Sequence, residues 1–267
     1  AGYSITAVSM VLNNKPVSIP QSTREKIWAA AESLNYRPNQ LAVSMITKRS
    51  QVLGLIIPDN SNLFFAELSK AIEMEAIGRG YGLLYGNTNN DPARDKEYIH
   101  MFVDRRVDGI IYSKSASFKL EDEKSSLKAL QDSQLPFVTV DRRLSNTEGH
   151  SVLLNHFKGG YLATRHLTEL GHKRIGCFTG PLNLFSSNER LDGYSSALEE
   201  AGIPYDPSLI YEGDYQIGKE DEAARELLEK GVTAIFAFND IMAFGLYRAL
   251  RKQGVSIPQD VSVIGFD

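Results

Sequence analysis

From Val52 to the last residue, short apolar runs alternate with longer stretches in which apolar positions recur every three or four residues. The runs VLGLIIP (52–58), YGLLYG (81–86), DGIIYS (108–113), FVTVD (137–141), RIGCFTG (174–180), SLIYEG (208–213), AIFAFND (234–240) and VSVIGFD (261–267) predict eight strands. Between them the spacing predicts helices at about 65–79, 92–106, 121–132, 157–170, 188–202, 216–230 and 241–253. Strands that are apolar without alternation are buried on both faces, so helices must cover both sides of a parallel sheet. The rhythm is also doubled. Four strands precede SVLLNHFKGGYLATRHLTELGH (151–172) and four follow it, which predicts two doubly wound lobes with a cleft facing their strand C-termini.

The first fifty residues read differently. In SITAVSMVLNN (4–14), Ser4 is placed to cap a helix carrying Ile5, Val8, Val11 and Leu12. KPVSIP (15–20) interrupts it, and QSTREKIWAAAESLNY (21–36) makes a second amphipathic helix with Ile27, Ala30, Ala31 and Leu34 in one stripe. Trp28 is assigned to this small core. After Pro38, the uncharged stretch Asn39 to Ile46 reads as one or two helical turns, too short to hold a helix by itself in water. The boundaries that follow are a headpiece at 1–37, a hinge and linker at 38–50, an N-terminal lobe at 51–155 and a C-terminal lobe at 156–267.

Charge sharpens that division. The net charge is −4, yet residues 1–50 carry six Lys and Arg against two Glu, while the remainder carries 23 cations against 31 anions. A cationic head on an anionic body directs any polyanion to the head. A single cysteine excludes a disulfide framework and fits a reducing compartment. No apolar stretch approaches the roughly 18 residues of a membrane span, and no secretory leader pattern opens the chain.

The strand ends concentrate the chemistry. The first strand leads to Asn62, Phe64 and Phe65, and the fourth ends at Asp141-Arg142. The second half offers Arg190 in SSNERLDGY, Asn239 after AIFAF, and Phe266-Asp267 after VSVIG. Aromatic faces with planar hydrogen-bonding groups suit a polyhydroxylated ring. One of the adjacent phenylalanines is assigned to the core, and Asp141 and Asp267 also fit cap or turn positions. Catalysis finds no support. His100, His150, His156, His166 and His172 lack metal-ligand spacing and are assigned to the surface or to caps. Cys177 lies mid-strand as an inert thiol, no nucleophile or phosphate-loop motif occurs, and no metal or cofactor is expected. GRGYG (78–82) is read as a helix cap and turn.

These residues resemble a known family. AGYSITAVSMVLNN, STREK and LNYRPNQLAVSM resemble the headpiece of the lactose-repressor/galactose-repressor family of bacterial transcription regulators, and GLIIPD, NLFFAEL, RVDGII, LTELGHKRI, RLDGY, FAFNDIMAFG and IPQDVSVIGFD resemble its periplasmic-binding-protein-like core. The resemblance implies a cytoplasmic, homodimeric, helix-turn-helix regulator of double-stranded operator DNA, not an enzyme. Ile5, Thr6 and Met10 then match base-reading positions in the major groove, and Ser4, Ser9, Asn13 and Arg24 match backbone contacts. Asn39, Leu41, Ala42 and Met45 belong to the hinge helix, with Met45 where the family places a minor-groove wedge, usually leucine. Met10 stands where relatives often carry arginine, so operator preference is expected to differ. Asn62, Phe64, Phe65, Asp141, Arg142, Arg190, Asn239, Phe266 and Asp267 match the contacts of ribose-type members, which implies a small sugar effector, a pentose in particular. The chain starts at the family's turn and stops at Asp267 where relatives continue, so it is expected to be trimmed at both ends. A sugar receptor of a transporter remains the alternative, and an enzyme on the same scaffold ranks last.

Overall fold

The computed structural model describes residues 2–13, 16, 18–36, 39–116, 120–144 and 149–267, with backbone only at Gln40, Leu41 and Leu120. The chain divides into two compact units, Ala1–Ser50 and Gln51–Asp267.

In the first unit, α1 (Ile5–Leu12) opens with the Ser4 hydroxyl accepting from Ala7 N at 3.2 Å. It ends where Asn13 Nδ2 turns back to donate to Ser9 O at 2.8 Å, satisfying a last-turn carbonyl. α2 (Gln21–Ser33) starts after Pro20, and α3 covers Gln40–Thr47. Val11, Ile27 and Ala31 are buried. Three expectations fail here. Trp28 is 46% exposed and Leu34 77% exposed. Ile27 and Ala31 lie one turn apart and define the inward face; Trp28 is rotated about 100° from Ile27 and Leu34 is already the cap, so two short helices cannot enclose either. Ile5, counted in the apolar stripe, is 89% exposed.

The second unit contains two parallel sheets. The first has β1 (Val52–Ile57), β2 (Gly82–Asn87), β3 (Gly109–Tyr112), β4 (Phe137–Val140) and β5 (His150–Val152) in the order β2-β1-β3-β4-β5. Between its strands run α4 (Leu63–Gly78), α5 (Pro92–Asp104) and α6 (Leu120–Asp132). The second has β6 (Ile175–Thr179), β7 (Ile210–Glu212), β8 (Ala234–Ala237) and β9 (Ser262–Ile264) in the order β7-β6-β8-β9. Its helices are α7 (His156–Glu169), α8 (Phe185–Glu200), α9 (Glu220–Glu229) and α10 (Asp240–Lys252). All pairings are parallel. This is the doubly wound α/β architecture that the alternation predicts.

β5 is absent from the sequence reading. It is an exposed edge strand of three residues, and an edge strand needs no apolar face to read. β7 is preceded by a 3-10 turn at Pro207–Leu209, and α9 begins at Glu220 rather than near 216, because residues 214–219 form a loop.

Two glycines decide how the second sheet's helices meet. A Cβ on Gly160 of α7 would lie 2.2 Å from Arg190 O, and one on Gly193 of α8 would lie 2.1 Å from Phe157 O. The backbones of α7 and α8 therefore touch, which only residues without a side chain allow. This contact sets the depth at which Arg190 sits.

Candidate functional site

Residues from both sheets meet at the strand C-termini. One cleft is lined by Asn62, Phe64, Phe65, Asp141, Arg142, Ser186, Arg190, Tyr215, Asn239 and Asp267, and its space, open mouth included, is about 310 Å³. Eight of the nine ligand residues anticipated from sequence are among these.

On the first sheet's side, Asn62 caps α4, its Oδ1 accepting from Phe64 N at 2.9 Å. That fixes the first helical turn, so Phe65 packs into the core at 3% exposure with its ring forming part of the cleft wall and Phe64 lines the cleft beside it, the two rings edge to face at 5.1 Å. Asp141 sits at φ 61° and Arg142 N donates to Val140 O at 2.6 Å, so the chain makes a tight three-residue turn in a region a non-glycine residue seldom visits. Such strain persists only where surroundings enforce it. The turn aims two adjacent side chains, one anionic and one cationic, at the same space.

Arg142 is buried, and its Nη1 donates to Asn90 Oδ1 at 3.0 Å and to Lys114 O at 2.9 Å. The loop carrying Lys114 is itself anchored by a buried carboxylate. Asp95 accepts from Tyr112 Oη at 2.8 Å, Ser115 N at 3.0 Å and Ser115 Oγ at 2.7 Å. Burial raises the Asp95 carboxyl above its ordinary range, opposed first by the Ser115 bonds. Lys114 also pairs with Glu123.

On the second sheet's side, Arg190 is buried between several acceptors and rings. Its Nη1 donates to Phe238 O, its Nε donates to His156 Nδ1 at 3.3 Å, and its Cζ lies 3.6 Å from the Phe266 ring centroid and 5.7 Å from that of Tyr215. Asn239 caps α10, accepting from Met242 N at 2.9 Å and donating to Tyr215 O at 3.3 Å. Tyr215 has φ 65°, and its hydroxyl lies 2.9 Å from Ser187 Oγ. Asp267 has its carboxyl pushed up to about 6 by burial, against the pull of Arg190. The Asp141 carboxyl is raised by burial too, while Arg142 and Arg190 hold it down.

Two sequence expectations are corrected here. Phe266 does not line the cleft; its ring stacks on Arg190. His156 is neither surface nor cap. It is 1% exposed and lies among the cleft residues, with Nε2 at 3.6 Å from Asp141 Oδ1. Burial first, then the Arg190 charge, pushes its pKa down to about 4, so the ring is neutral. Tyr215 and Ser186 are additional lining residues. Tyr215 follows a strand end, the same signal that finds Asn62 and Asn239, but it falls between the SLIYEG run and the helix predicted from about 216 and is not singled out. Ser186 has no such signal.

In the first unit, Ile5, Thr6 and Ser9 are exposed on α1 and Met10 is half-buried. Ser4 and Asn13 serve as the α1 caps, and Arg24 is half-buried. Asn39, Ala42 and Met45 are exposed, Met45 at 70%. The side chain of Leu41 lies outside the described residues. Cys177 is fully buried, with its thiol pKa raised by burial. Among the described residues no cluster of His, Cys, Asp or Glu is arranged to hold a metal, and no helix is long and apolar enough to cross a membrane.

Residues 1–39 match the model of bacterial regulatory proteins of the lacI family, and residues 50–267 match that of periplasmic binding proteins and the sugar-binding domain of the LacI family. The HTH-type transcriptional repressor PurR of Actinobacillus pleuropneumoniae (serotype 3, strain JL03) is 37% identical over 269 residues, which is the whole chain and 78% of that protein. A protein described as a ribose operon repressor from Burkholderia thailandensis superposes with a TM-score of 0.72 at 32% identity, covering 82% of this chain and 80% of that one. The Lac repressor bound to ONPG in the repressed state superposes with a TM-score of 0.84 at 28% identity, covering all of this chain and 80% of that one. The chain therefore belongs to the LacI family, DNA-binding transcriptional regulators, not enzymes, in which a helix-turn-helix headpiece precedes a two-lobed ligand-binding domain.

Proposed function

We propose that this chain represses transcription from a palindromic operator as a homodimer, and that a small neutral sugar, a pentose such as ribose, sets its operator affinity from the cleft. The observation that carries the sugar reading is the charge balance of the cleft wall. Two guanidiniums, Arg142 and Arg190, face two carboxylates, Asp141 and Asp267, beside the amides of Asn62 and Asn239 and the rings of Phe64 and Tyr215. Both arginines already donate to protein acceptors. A phosphorylated or cationic ligand would leave one sign of charge unmatched, whereas hydroxyls take donors and acceptors equally and a ring's C–H face rests on an aromatic. The resemblance to the B. thailandensis protein described as a ribose operon repressor supports the pentose.

The ligand acts only to the extent that it binds one arrangement of the lobes better than the other. The eight-residue α3 couples this to DNA. A helix that short gains stability from a partner helix and a duplex, so Met45 wedges into the minor groove only when paired hinges are in register. Ile5, Thr6 and Met10 would read the major groove.

A second reading has its own support. PurR of A. pleuropneumoniae is a purine repressor by name, and Phe64 and Tyr215 would also flank a flat base. Calorimetry of the full chain against D-ribose, D-xylose, D-glucose, ribose 5-phosphate and hypoxanthine separates the readings. Micromolar binding confined to free pentoses is expected; binding of hypoxanthine alone overturns the sugar. Selection from a random duplex library should yield one palindromic site, with log affinity falling linearly against log salt. No preference over random duplex would end the regulator reading.

A further inference from the structure

We infer that His156 is a positioning residue that ties the two walls of the cleft together as a neutral imidazole, its Nδ1 accepting from Arg190 and its Nε2–H aimed at Asp141. The three residues of the tie arrive from separate parts of the fold. Asp141 stands at the end of β4 in the first sheet, Arg190 projects from α8 over the second sheet, and His156 is the first residue of α7, the segment that passes from one sheet to the other.

The tautomer follows from the donors. Arg190 Nε carries a hydrogen and has nothing to accept with, so its 3.3 Å bond to Nδ1 requires a lone pair there. The proton of the neutral ring therefore sits on Nε2, which is buried, stands 3.6 Å from Asp141 Oδ1 and is turned also toward the Asp141 backbone, whose pull on the ring proton opposes burial and Arg190. A buried donor left half a bond short of a carboxylate is costly unless movement of the walls brings the two together. The Phe266 ring lies 6.1 Å from the imidazole centroid, and Asn155, accepting from Lys158 N, caps the turn of α7 that His156 opens. The charged groups around it are Asp141 beyond Nε2, Arg190 beyond Nδ1, and, through Arg190, Asp267. A protonated ring would set a second cation against Arg190 and break the Nδ1 bond.

The two ring nitrogens can be removed separately. Asn at this position keeps a polar atom near Nδ1, and Gln keeps one near Nε2. Histidine-selective nitrogen NMR of the full chain at pH 7 should show the Nε2–H tautomer. Arg190→Lys should then shift mainly the Nδ1 resonance and Asp141→Asn mainly Nε2. An imidazolium, an Nδ1–H tautomer, or a ring indifferent to both substitutions overturns the tie, whatever ligand the cleft takes. The consequence for affinity rests on the sugar reading. His156→Asn and His156→Gln should each weaken D-ribose about tenfold by calorimetry, with melting temperatures close to that of the unsubstituted chain. Unchanged D-ribose affinity in both variants overturns the positioning role. If the unsubstituted chain ignores D-ribose, the sugar reading fails and the resonances alone decide the tie.

Discussion

The guanidinium carbon of Arg190 lies 3.6 Å from the centroid of the Phe266 ring. A planar cation over an aromatic face at that distance is held by the ring's quadrupole and by contact with a weakly hydrated ion. The ring also closes over Gly159, where a Cβ would stand 2.1 Å from Phe266 Cε2. Phe266 thus serves the cleft from behind its wall, by fixing the direction in which Arg190 presents its remaining donors.

Phe266→Leu should keep the fold while freeing Arg190. Loss of a buried cation–π contact is worth about 1–2 kcal/mol, so a melting temperature lower by a few degrees is expected. Affinity for whichever ligand the cleft takes should fall roughly tenfold, at about 1.4 kcal/mol per decade. Calorimetry showing full affinity would mean that Arg190 keeps its aim without the ring.

Gly193→Ala should be among the most damaging small substitutions. The added methyl would meet Phe157 O at 2.1 Å and Tyr161 N at 2.6 Å, both backbone atoms that cannot rotate away. Forcing α8 off α7 should cost about 3 kcal/mol or more, measured by denaturant unfolding. Gly78→Ala is the control: nothing lies within 4 Å of its Cβ position, and stability there should hold or rise by up to about 1 kcal/mol.

Acid should act on His156 and Asp267 with opposite signs. The folded His156 titrates at about 4 instead of 6.5, so between those values the unfolded chain holds more protons and stability rises with pH. At pH 5 the loss from this residue is about 2 kcal/mol. Asp267 titrates at about 6 instead of 3.8, so the folded chain holds the extra proton and stability falls as pH rises through that window. The two slopes oppose each other in the unsubstituted chain, that of Asp267 being the weaker because the residue is exposed and screened by solvent. Relative to it, His156→Asn should be favoured more at pH 5 than at pH 7.5, and Asp267→Asn more at pH 7.5 than at pH 5. Thermal unfolding at both pH values is the check, and parallel curves would refute the assignment.

Met45→Lys tests the proposed wedge on α3. The side chain is 70% exposed, so the substitution should leave folding within about 0.5 kcal/mol. A charged tip parts a base step poorly, and operator affinity should fall about tenfold despite the added cation, with ligand affinity unchanged. Unaltered or tighter operator binding would retire the wedge.

Much of this molecule is written locally. Continuous apolar runs such as VLGLIIP and AIFAF require burial on both faces, and that requirement yields parallel sheets covered by helices. Once the strands are known, their C-terminal ends mark the cleft, which is why Asn62, Asp141 and Asn239 are legible as neighbours in space. What the sequence left open depends on partners far along the chain. Trp28 looked like core because helical periodicity gives a stripe but not its depth. His156 looked peripheral because its meaning comes from Asp141 and Arg190, fifteen residues before it and thirty-four after. Phe266 reads as a sugar face until Arg190 is found against it. Local pattern sets which residues must leave water; only the packed fold decides which polar group each one meets, because those meetings join segments whose separation no periodicity encodes.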